Sequence, residues 1–146
     1  MMEGREEFRF RYPLQVRYRD VDRQDIVYFA VYLEYFETAL HEYYRALGIF
    51  VAETERTREF DAVFAHVEVD YAGSARLDDV VEVGVRAERV GNASITYVLQ
   101  ANLAGTGAPL CRGRLVSVNF DRDTGRARPI PEWIRAAVAD YEGLSR

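Results

Sequence analysis

A chain of 146 residues, 49% hydrophobic and 29% charged, has the length and balance of one soluble globular domain, residues 1–146, and is not a disordered chain. Its formal net charge of −5 argues against nucleic-acid binding, which needs a concentrated basic face. Cys111 is the single cysteine and His41 and His66 the only histidines, so neither an internal disulfide nor a metal site of nitrogen and sulfur ligands is expected.

All 19 basic residues are arginine. The simplest reading is codon bias, and the missing lysine removes Schiff-base chemistry from consideration. Residues 1–8 are charged and lack the apolar stretch of a signal peptide, and no run approaches transmembrane length. A cytoplasmic location without membrane insertion is the expectation.

In chain order, residues 8–19 alternate. Phe8, Phe10, Tyr12, Leu14, Val16 and Tyr18 share one face, and Arg9, Arg11, Gln15, Arg17 and Arg19 the other, which predicts a half-buried strand. Pro13 cannot donate to a ladder and marks an edge or a bulge. From residue 29 to 47 the period becomes helical, with Phe29, Tyr32, Leu33, Phe36, Ala39 or Leu40, Tyr43, Tyr44 and Leu47 on one stripe and Gly48 as a stop. Residues 49–59 fit a short helix or an ordered loop. Four strands follow at 62–71, 79–90, 94–103 and 110–121, joined by turns at Gly91-Asn92 and residues 104–107. In the first of these, His66 alternates with Phe64, Glu68 and Asp70, opposite Val63, Ala65, Val67 and Val69. Pro131 opens a last helix carrying Trp133, Ile134, Ala137, Val138 and Tyr141. A single apolar helix followed by a meander of strands must be covered by them. The expected fold class is α+β, an antiparallel sheet of five or six strands curled around one long central helix.

Between the first strand and that helix lie Asp20, Asp22 and Asp25. The unpaired N–H groups of a helix's first turn form an electropositive pole. A carboxylate beside that pole can attack a carbonyl, or activate a water, while the helix end polarises it. Acids just before a helix are also common caps, and Asp25 suits that role better than Asp22.

Two segments carry a family resemblance. Residues 16–42 hold Asp20-x-Asp22, then Asp25-Ile26-Val27-Tyr28, then Tyr32-Leu33-Glu34-Tyr35-Phe36-Glu37. Residues 69–79 hold Val69-Asp70-Tyr71 and Ser74-Ala75-Arg76-Leu77-Asp78-Asp79. Their order and spacing resemble hotdog-fold acyl-CoA thioesterases, in the branch of 4-hydroxybenzoyl-CoA thioesterase and the thioesterases encoded with the Tol-Pal system. The resemblance implies a hotdog fold, hydrolysis of acyl-CoA without a cofactor beyond the substrate's own coenzyme A, and a homodimer or homotetramer with sites at the subunit interface. It places the catalytic carboxylate on Asp22 and the carbonyl-polarising backbone N–H on Phe29. Arg89 is the first choice for the coenzyme A phosphates, ahead of Arg76 and Arg86. Tyr28 and Tyr32 line the acyl site in this reading, or belong to the core in a plainer one. Glu37 matches the family's helix acid or is a solvated glutamate.

Two positions depart from the family pattern. Asp25 stands where the family has a glycine suited to a left-handed turn, and Phe29 where it has His or Asn. Both leave open a non-catalytic acyl-CoA-binding or assembly protein on the same scaffold. A hotdog dehydratase ranks last, since neither histidine lies near the joint.

Overall fold

The computed structural model describes residues 4–145; Met1–Glu3 and Arg146, which include part of the charged N-terminal stretch, lie outside the described residues. Strand β1 is Phe10–Gln15, and a single 3₁₀ turn at Tyr18–Asp20 leads towards helix α1, Val31–Ala46. Helix α2, Val51–Thr57, precedes strands β2 (Ala62–Tyr71), β3 (Val80–Val90), β4 (Ser94–Leu103) and β5 (Pro109–Asp121). A two-residue β6, Arg126–Ala127, and helix α3, Glu132–Glu142, complete the order.

The six-stranded antiparallel sheet runs β1-β3-β4-β5-β2, with β6 paired to β5. Only β3, β4 and β5 form the expected meander. β2 crosses to the far side of β5, so β1 and β2 are the two edges, and Pro13 sits on an edge strand as its missing N–H requires. α1 buries Tyr32, Tyr35, Phe36, Ala39, Leu40, Tyr43 and Tyr44 against the curled face, with Val81, Val83, Val85, Tyr97, Leu99 and Leu115 opposite. Close approach needs a glycine at Gly113, where a Cβ would come within 2.7 Å of the Phe36 ring. Gly48, at φ 77°, ends the helix as expected.

Several local readings are corrected. The alternation of the first strand holds only from Phe10 to Val16. Phe8 precedes β1 and packs on the opposite face, over Gly84, where a Cβ would run into its ring. Tyr18 falls in the 3₁₀ turn and is 84% exposed. In β2 a bulge between Phe64 and His66 shifts the alternation, so Phe64 joins Val67, Val69 and Tyr71 on the helix side instead of facing with His66. His66, expected to be a packed or hydrogen-bonded histidine rather than a catalyst, is exposed, with its Nε2 3.8 Å from the Glu68 carboxylate. Leu33 is exposed, and Tyr35 takes a buried place that the helical stripe did not assign.

α3 covers the end of the β3–β4 hairpin with Ile134, Val138 and Ala139. Its Glu142 accepts the Ala87 N–H at 2.6 Å, where a bulge in β3 interrupts the ladder, and burial pushes that carboxyl up to about 7. No helix among the described residues is long and apolar enough to cross a membrane.

Candidate active site

The strand–helix joint is a small hairpin of its own. Val21 bridges Val27, the Asp22 N–H donates to Ile26 O at 2.9 Å, and the Tyr28 N–H donates to Asp20 O at 2.9 Å. The tip turns at Asp25, whose φ of 62° is the left-handed conformation expected at the glycine-like position. An aspartate therefore makes the turn without rerouting the chain. It caps nothing: the residue before α1 is Ala30, which has no side chain able to cap.

The second resembling segment is the bed on which the first one lies. Val27 N donates to Ala75 O at 2.9 Å, and Ala75 N donates to the Tyr32 hydroxyl at 3.1 Å. Val16 N donates to Asp79 O, and Asp78 N returns to Val16 O. The Asp79 carboxylate accepts the Arg76 N–H at 2.8 Å and closes the turn. The two segments thus satisfy backbone groups of each other and of the chain leading into the joint.

The acids are treated differently. Asp20 is 4% exposed, and its Oδ2 accepts both the Arg17 N–H at 2.9 Å and the Tyr35 hydroxyl at 2.8 Å. Asp22 is half-buried; its Oδ1 accepts the Gln24 N–H at 2.7 Å, and its Oδ2 has no partner among the described residues. That Asx turn fixes the rotamer and presents one carboxylate oxygen.

At the start of α1, Val31 N donates to Tyr28 O and Leu33 N to Ala30 O, whereas the N–H groups of Phe29 and Ala30 have no acceptor among the described residues. The Phe29 ring is 60% exposed and lies 4.8 Å from Tyr28 and 6.3 Å from Tyr71. Tyr28 is also exposed and flanks the mouth of the joint. Tyr32, at 2% exposure, is a core residue whose hydroxyl supports Ala75.

Of the three arginines, Arg76 lies on the segment against the joint. Arg86 is committed to Glu7 at 2.5 Å, within a cluster that includes Arg112. Arg89 is exposed at the far end of β3, and at about 3.3 Å per residue it stands roughly 30 Å from Val80, which adjoins the joint. One chain therefore does not bring Arg89 to Asp22. Glu37 is exposed on the rim of a recess of about 230 Å³ between α1, α2 and the start of β2, floored by Leu40, Tyr44, Phe60 and Phe64. Among the described residues no group of three or more His, Cys, Asp and Glu is placed to hold a metal. Burial raises the Cys111 thiol to about 12, the state of an inert thiol.

Sequence reasoning missed three contributors: Tyr35, which holds Asp20; Ala75, which holds Val27 and Tyr32; and Tyr71, whose hydroxyl donates to Phe29 O at 2.7 Å. All three stand inside the two resembling motifs, which is the signal that could have found them.

A family model, thioesterase-like superfamily, matches residues 16–138. The acyl-CoA thioesterase YbgC of Haemophilus influenzae is 33% identical over 88 residues, which make up 60% of this chain and 65% of that protein. The match thus spans just under two thirds of that curated relative. Among solved structures, a Thermus thermophilus thioesterase complexed with coenzyme A and Zn is 32% identical, with a TM-score of 0.81 over 97% of this chain and 99% of that one. A 1,4-dihydroxy-2-naphthoyl-CoA thioesterase from Synechocystis reaches a TM-score of 0.84 at 19% identity, over 90% of this chain and 96% of that one, a likeness of fold.

Proposed function

The chain belongs to the thioesterase-like superfamily, and we propose that it hydrolyses acyl-CoA thioesters to a free carboxylic acid and coenzyme A, with Asp22 as the catalytic acid. The observation that carries this reading is the half-buried Asp22 carboxylate, fixed through Oδ1 and open at Oδ2, on a hairpin that leads into an uncapped helix start. The order of the two motifs further supports a place in the branch of 4-hydroxybenzoyl-CoA and Tol-Pal-associated thioesterases.

Attack on the thioester carbon moves the carbonyl electron pair onto oxygen. The Phe29 N–H and the pole of α1 then stabilise that oxyanion without reorganising. Asp22 Oδ2 serves in one of two ways. As base it takes a proton from the attacking water. As nucleophile it forms a mixed anhydride, which water then cleaves. Either way the C–S bond breaks, the thiolate leaves and takes up a proton, and one water is consumed. The reaction draws on no cofactor, coenzyme A being part of the substrate. Tyr28 and Phe29 form an aromatic lip for the acyl or pantetheine portion, and Tyr32 supports it through Tyr71, whose ring packs on both Tyr32 and Phe29.

The test is thiol release from a panel of short, medium, long and aromatic acyl-CoAs, wild type beside Asp22→Asn. Turnover in the wild type that collapses in the variant is expected. Turnover that survives unchanged removes Asp22 from the chemistry, and tight binding without release by the wild type favours an acyl-binding protein.

The working unit proposed is a homodimer or homotetramer. β2 is an open edge whose helix side exposes Phe64, Val67 and Tyr71, beside exposed Phe29 and Leu33 of α1. A second copy paired along that edge covers both. Arg89 then serves the coenzyme A phosphates from another subunit. Sedimentation equilibrium is expected to give a multiple of the chain mass; a monomer with full turnover would sink this arrangement.

A further inference from the structure

Two consecutive peptide groups at the start of α1 have their carbonyls engaged and their N–H groups unengaged. The Tyr28 carbonyl accepts Val31 N–H at 2.9 Å, and the Phe29 carbonyl accepts the Tyr71 hydroxyl at 2.7 Å. In a planar trans peptide the C=O and N–H point in opposite directions. Holding each carbonyl against the protein body therefore turns the following N–H, of Phe29 and of Ala30, away from it. The first of these bonds is local to the turn. The second comes from the last residue of β2, on an edge strand remote in sequence.

We propose that Tyr71 is a positioning residue for the thioester hydrolysis proposed above, its hydroxyl fixing the Phe29–Ala30 peptide so that Ala30 N–H acts beside Phe29 N–H as a second donor to the oxyanion. The Tyr71 ring is itself held edge-on against Phe29 at 6.3 Å and Tyr32 at 5.9 Å, and the Tyr32 hydroxyl is tied to Ala75. The donor is thus anchored to the core although Tyr71 is 45% exposed. Burial raises the phenol above its ordinary value, so it remains a donor throughout the neutral range. A second donor matters because each well-aimed N–H in an oxyanion site is worth about a hundredfold in rate.

Tyr71→Phe keeps the ring and deletes the donor. The expected result is a kcat lowered about tenfold with KM within about twofold, the signature of an interaction made in the transition state. A readout that a merely structural role would not move is the carbonyl stretch of carbonyl-¹³C benzoyl-CoA bound to the Asp22→Asn protein. Adding Tyr71→Phe is expected to shift that stretch to higher frequency, because the carbonyl is less strongly polarised. Wild-type kcat in Tyr71→Phe, or an unchanged stretch, overturns the positioning role while leaving thioester hydrolysis standing. If the wild type releases no thiol from any acyl-CoA, the hydrolytic reading fails instead, and the stretch still reports on Tyr71. Failure of every acyl-CoA of the panel to bind overturns both.

Discussion

Asp20 and Asp22 flank Val21 at the same joint, share a side chain and differ in almost everything the fold does with them. Asp20 is buried: its Oδ2 accepts a backbone N–H and a tyrosine hydroxyl, its Oδ1 lies 3.8 Å from the Arg19 Nε, and its own carbonyl receives Tyr28 N–H. Asp22 is half-buried and holds one bond, to the turn that it begins. The Val21–Val27 bridge separates them, with Asp20 at the base of the hairpin under α1 and Asp22 towards its tip. A buried carboxylate that ties a backbone N–H to a tyrosine hydroxyl is a structural part. A half-buried one with a single bond is oriented and still available, which is what acid–base or nucleophilic chemistry needs. Residue type does not separate the two roles; burial and bonding do.

The comparison breaks most sharply by exchanging the effects. Asp22→Asn is expected to lower kcat by a hundredfold or more, the usual scale of general acid–base catalysis, with the urea midpoint unchanged. Asp20→Ala is expected to do the reverse in kind. It strands the buried Tyr35 hydroxyl and removes the acceptor of the part-buried Arg17 N–H, which costs about 2–3 kcal/mol. Urea unfolding of that variant should show the loss, with Tyr35→Phe giving a smaller one. An Asp20→Ala protein as stable as wild type would mean that the buried acid has no structural role.

The contrast was only partly legible in the sequence. Long periodic segments told their own story: α1, β3, β4 and β5 lie within a residue or two of where periodicity put them, because a buried face repeats at a fixed interval. The roles proposed for Asp22 and the N–H of Phe29 rest on the resemblance, not on periodicity. Non-local bonds were not legible. Nothing near Asp20 in the chain says that Tyr35 will cover it, nor does anything near Phe29 say that Tyr71 will reach its carbonyl. The β2 bulge was hidden too, since one inserted residue reverses every following side chain while leaving an alternating pattern on either side of it. Phe8 continued the alternation by composition alone, and only the smooth back of Gly84 draws it to the other face.

Asp25 is the third acid of the joint and sharpens the comparison with the smallest effect. Its side chain has no part in holding the hairpin: the bond that matters is its own backbone N–H to Asp22 O at 3.0 Å, and a glycine keeps that bond. At φ 62° an L-residue is strained, and glycine relieves the strain while gaining unfolded-state entropy, so Asp25→Gly is expected to stabilise by only about 0.5 kcal/mol. Its effect on substrate should be electrostatic. Removing one negative charge beside Asp22 weakens repulsion of the anionic coenzyme A, lowering KM about twofold at low salt, with the difference vanishing as ionic strength rises. KM measured for both proteins across a salt series reads this directly. A KM that rises in Asp25→Gly would give the carboxylate a binding role, and the joint would then divide its acids into one that supports and two that meet the substrate.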